Sequence, residues 1–114
     1  MAITYFQDTI FSTESTLTAP AVGSALQVAV NNTFSTSSYT FIVTVASVNT
    51  NVIVRLEGSI DGTNYAPIIA NQTITANGTT AYSVSGRPVK WLRTNWVSEA
   101  GGTAAEVTFS IAAA

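Results

Sequence analysis

Six carboxylates are the only acid–base groups in this chain that could carry chemistry near neutral pH: Asp8, Glu14, Glu57, Asp61, Glu99 and Glu106. There is no His and no Cys, which removes the commonest general base, the strongest side-chain nucleophile, thiolate metal sites and disulfides. Hydrolysis of a glycosidic bond needs two carboxylates facing one another across it. Glu57 and Asp61 are the only close pair, and a strand Glu beside a turn Asp is the ordinary furniture of a hairpin. The turn from Asp61 to Asn64 offers two carboxylate or amide side chains, whereas Ca²⁺ takes six or more oxygens. No phosphate loop, dinucleotide fingerprint or metal triad occurs. The expected result is no enzyme, no cofactor and no metal, with no turnover of glycans, esters or peptides.

Aromatic and basic residues could instead recognise a partner. Trp91 and Trp96 are five positions apart, so on a strand they face opposite sides. One belongs to the core, and the other could anchor a subunit or stack on a sugar ring. Arg55, Glu57 and Arg93 are expected to form cross-strand ion pairs on one sheet face. The net charge is −2 with four basic residues, so electrostatic binding of nucleic acid is not expected.

The elements that must hold these groups are strands. Alternation of period two dominates, and no useful window repeats at helical spacing. The clearest strands are Tyr39 to Ala46, Asn51 to Ser59, Lys90 to Val97 and Glu106 to Ala112. Weaker ones are Ile3 to Phe6, Thr9 to Thr13, Leu26 to Val30, Tyr65 to Ile69, Gln72 to Ala76 and Thr79 to Val84. Ser47 to Thr50 reads as a short hairpin connection. Further turns are expected at Ala19-Pro20, Asn31-Asn32, Asp61-Gly62, Asn77-Gly78, Gly86-Arg87-Pro88 and Gly101-Gly102. Seven to nine short strands with this punctuation predict an all-β fold, an antiparallel β-sandwich of Ig-like or jelly-roll type.

At 114 residues the chain suits one domain, residues 1–114, with residues 1–24 an N-terminal arm or edge segment. Only 9% of residues are charged while 46% are hydrophobic, and Ser, Thr and Asn supply a third of the chain. Such a surface repels itself weakly and suits a domain packed against neighbours. No stretch is long and apolar enough for a membrane helix, and Met1 to Asp8 lacks the pattern of a signal peptide. The chain is expected to be made in the cytoplasm.

The hairpin Val54-Arg55-Leu56-Glu57-Gly58-Ser59-Ile60-Asp61-Gly62-Thr63-Asn64-Tyr65 is the most specific local pattern. In it Asp61 binds the turn backbone, Gly62 takes positive φ and Tyr65 packs back across the strands. A basic aromatic strand follows at Lys90-Trp91-Leu92-Arg93-Thr94-Asn95-Trp96, then the turn Gly101-Gly102 and a last strand with Val107, Phe109 and Ile111. This succession, over roughly Val52 to Ile111, resembles small β-sandwich virion proteins of tailed bacteriophages. It also resembles discoidin-type carbohydrate-binding modules, which usually carry longer loops and often a disulfide clamp that this chain lacks. The phage resemblance implies a virion location and a capsid decoration (cement) protein that binds and stabilises neighbouring coat subunits. A neck, tail or fibre component, or a polysaccharide-binding module, are the alternatives. Implied partners are capsid or other virion proteins in a homo-oligomer or repeated array, with Phe11, Leu17, Trp91 and Arg93 as candidate interface residues.

Overall fold

The computed structural model describes residues 10–13, 15–29 and 36–114. They form eight strands: β1 (Ile10–Thr13), β2 (Leu26–Gln27), β3 (Tyr39–Ala46), β4 (Asn51–Ser59), β5 (Ala66–Ile74), β6 (Gly78–Val84), β7 (Trp91–Ala100) and β8 (Glu106–Ala113). Two four-stranded antiparallel sheets result, in the orders β1-β8-β3-β6 and β2-β7-β4-β5. Strand 1 thus pairs with 8, 2 with 7, 3 with 6 and 4 with 5, as in one long hairpin rolled up on itself. That nesting selects the jelly roll over the Ig-like alternative.

Alternation explains which residues meet between the sheets. From the first sheet, Tyr39, Phe41, Val43, Val45, Val107, Phe109 and Ile111 point inward; from the second, Val52, Val54, Leu56, Leu92 and Trp96 do so. Tyr39 brings a hydroxyl into this core and satisfies it fully. Its oxygen donates to the Thr36 carbonyl at 3.0 Å and accepts the Val89 N–H at 3.0 Å.

The 47–50 segment differs from its reading as a hairpin connection. It carries the chain from β3 in one sheet to β4 in the other. Ser47 makes the corner at φ 58, and the Val48 N–H is fastened to Asn77 Oδ1 at 2.9 Å, beside the crossing from β5 to β6. Tyr65 to Ile69 and Gln72 to Ala76 merge into the single strand β5, whose break in alternation is a register irregularity opposite Val54 to Glu57. The expected strand Ile3 to Phe6, the turn Asn31-Asn32, and the ends Thr9 and Val30 of two strands lie outside the described residues.

Residues 10–13 and 15–24 lie along the sandwich as an edge segment. β1 borders β8, Leu17 exchanges two backbone hydrogen bonds with Val107, the Ala21 carbonyl accepts the Trp96 N–H, and the Gly23 N–H donates to Thr94. The segment thereby ties both sheets together, and removing residues 1–18 would uncover the edge of β8.

Candidate functional site

On the outer side of the second sheet, β4 and β7 set four polar side chains in a square. Arg55 lies opposite Asn95, and Glu57 lies opposite Arg93. The carboxylate of Glu57 accepts from Arg55 Nε at 2.7 Å, Arg93 Nε at 2.6 Å and Asn95 Nδ2 at 2.9 Å. Although it points away from the core, the Glu57 side chain is only 3% exposed, because the two half-exposed arginines lie over it. Burial pushes its carboxyl up, but the bonds from Asn95, Arg93 and Arg55 together outweigh that and hold it below its ordinary value. The Arg93 guanidinium also stacks on the Tyr65 ring, 3.8 Å from its centroid.

Next to the square, the β4–β5 turn is organised by Asp61. Its Oδ1 accepts the N–H groups of Thr63 and Asn64 at 2.8 Å and the Ser59 hydroxyl at 3.0 Å, while Oδ2 accepts Asn64 Nδ2 at 2.7 Å. The Asn64 and Thr63 backbone donors, followed by the Asn64 amide and Ser59 hydroxyl, hold the Asp61 carboxyl far below the usual carboxylate range. Gly62 closes the turn at φ 79 under the ring of Trp91, which would stand 3.5 Å from an added Cβ. Room therefore exists, and the backbone angle is the obstacle. Gly62→Val should cost about 2 kcal/mol through the strained φ, read as a lowered melting temperature of the purified protein; a wild-type melt would refute this account of the turn.

The outer side of the first sheet is different in kind. Thr40, Ile42 and Thr44 of β3 lie beside Ser83, Ala81 and Thr79 of β6, and beside Ala112, Ser110 and Thr108 of β8. No charged side chain occurs among these nine positions. Hydroxyls pair across strands: Thr40 with Ser83 at 2.9 Å, Thr44 with Thr79 at 3.0 Å, and Thr108 with Thr16 at 2.8 Å. Ile42 stands at the centre, 39% exposed.

The four candidate interface residues do not come together. Phe11 pairs through its backbone with Ala112 at the edge of the first sheet. Leu17 packs against the core on the same border. Trp91 and Arg93 stand on the second sheet, Trp91 half-buried over Gly62 and Arg93 engaged with Glu57 and Tyr65. Asn95, the third donor to Glu57, escaped sequence reasoning, although its position two residues after Arg93 places it on the same face. The hydroxyl pairs of the first sheet carry no local signal, since Thr40 and Ser83 are joined only by register. Among the described residues no three Asp or Glu side chains gather where they could hold a metal ion, and no helix is long and apolar enough to cross a membrane.

The architecture is that of a jelly-roll β-sandwich. No family model and no curated protein sequence matches the chain. Among solved structures it is similar to the SPBc2 prophage-derived protein YomS, at 10% identity and a TM-score of 0.57 over 92% of this chain and 93% of that one. A weaker likeness is to the coat protein dimer of Tobacco streak virus, at 10% identity and a TM-score of 0.45 over 94% of this chain and 86% of the other. Identities this low speak to the fold alone, and the second score carries no argument.

Proposed function

We propose that the chain is a structural virion component, specifically a capsid decoration protein that binds and stabilises neighbouring coat subunits. The observation that carries this reading is the outer side of the first sheet, a broad uncharged surface whose hydroxyls are already paired with one another. Dehydrating such a surface strands few donors, so a neighbouring chain can cover it at little cost. The prophage origin of a protein with this fold is consistent with the reading. Tyr65, Trp91 and Trp96 are each spent on contacts inside the chain, so the described aromatics do not favour the polysaccharide-binding alternative.

Cosedimentation with undecorated particles tests the proposal. Binding should saturate at a fixed ratio to coat subunits and survive high salt, because few charges take part. Failure to bind particles, with retardation in a gel containing a soluble polysaccharide, would replace it with the carbohydrate-binding reading.

A further inference from the structure

A sandwich of two open sheets has four edges, and an unprotected edge is a template for another strand. Three of the four edges here carry a protecting feature. Among the described residues β1 has four and β2 only two, too few to offer much backbone. β5 contains Pro67 and two register irregularities against β4. β6 has none of these. It runs seven residues, Gly78 to Val84, without a proline, a charge or a bulge, in unbroken register with β3 from Thr44↔Thr79 to Tyr39↔Val84. Among the described residues it has a strand on one side only.

We infer that β6 pairs with β6 of a second copy of this chain, antiparallel about a two-fold axis at Ala81, making one continuous eight-stranded sheet. The sequence of the strand is self-complementary about that point. With Ala81 facing Ala81, Thr79 of each copy lies opposite Ser83 of the other, and Thr80 lies opposite Tyr82. The Thr79–Ser83 pair repeats, across the axis, the hydroxyl pairing that β3 makes with β6 at Thr40–Ser83 and Thr44–Thr79. A two-fold contact also sets each side chain against its own kind or its symmetric partner, so an uncharged strand meets no like-charge repulsion. A recess of about 280 Å³ beside this edge, lined by Thr73, Asn77, Gly78, Thr80 and Tyr82 among others, leaves room for the approaching strand's connections. The inference rests on the reading that the chain works packed against other chains; it adds which strand and which partner.

Sedimentation of the full chain, alone and as charge variants at the axis, tests it. Wild type should form a concentration-dependent dimer. Ala81→Lys and Ala81→Glu, placed at an exposed position, should each weaken dimerisation at least tenfold by opposing like charges, and an equal mixture of the two should recover it as a heterodimer. A monomeric wild type at about millimolar concentration would overturn the inference. So would variants that dimerise like wild type, or a mixture of normally melting variants that does not recover. Should either variant fail to fold, hydrogen exchange on wild type decides: amide protection in Gly78 to Val84 must rise with concentration, and constant protection refutes the pairing. Particle binding by a protein that is monomeric in solution would leave the virion reading standing while removing this inference alone.

Discussion

Replacing Glu57 with Ala is expected to destabilise the protein by about 3 kcal/mol, toward the lower end for breaking a buried ion pair because both arginines remain partly hydrated. The carboxylate is the acceptor on which Arg55, Arg93 and Asn95 converge. Without it, Arg55 and Arg93, diagonal neighbours on adjacent strands, lose the carboxylate that both of them bond. For a chain of this size the melting temperature should fall by on the order of 10 °C. Acid should reproduce part of the effect. Both Glu57 and Asp61 are held below their ordinary values of 4.5 and 3.8, so their stabilisation is fully present above those values and is lost as pH falls through the lower folded ones. A melting temperature flat from neutrality to about pH 5 and falling below about pH 4 is the expected profile, with a shallower acid limb in Glu57→Gln. An Ala variant melting within a degree of wild type would show that the square contributes nothing.

Trp96→Ala should be at least as damaging, at about 3–5 kcal/mol. Trp96 is the largest fully buried side chain, 1% exposed, between the two sheets. Its indole N–H donates to the Ser98 carbonyl at 2.9 Å across the irregularity that pushes Val97 outward. Trp96→Phe separates the two contributions: it keeps most of the volume, loses the hydrogen bond and should cost about 1–2 kcal/mol. Chemical denaturation of the three proteins would measure both steps; equal losses for Phe and Ala would mean that the hydrogen bond, rather than the volume, holds this region.

These expectations draw on features that local patterning revealed to different degrees. Tyr39 to Ala46 and Asn51 to Ser59 are visible to the residue, since inward Val, Leu and Phe recur at every second position and the strand ends coincide with turn residues. Alternation tells inside from outside but not which sheet a strand joins. For that reason Ser47 to Thr50, whose length suits either role, reads as a hairpin although it crosses the sandwich. Arg55, Glu57 and Arg93 were legible as partners because their alternation puts them on one face of two strands. The burial of Glu57 was not, since it depends on the arginine stems folding over it. The nine uncharged positions on the first sheet are scattered over β3, β6 and β8, and only the register of Thr40 with Ser83 and Ala112 assembles them.

The nested pairing also orders events during synthesis. Only β4 and β5 are both consecutive and paired; β1, β2 and β3 wait for partners from further along the chain. β8, an inner strand of the first sheet, is drawn from Glu106–Ala113 and leaves the ribosome after the other seven strands. Until it arrives, β1 lacks the strand it pairs with and one border of β3 stays bare, so Phe41 and Val43 lack their neighbours Phe109 and Ile111. Contacts this distant in sequence close slowly, in milliseconds to seconds, and the emerging chain is most exposed to mispairing in the interval before β8 inserts.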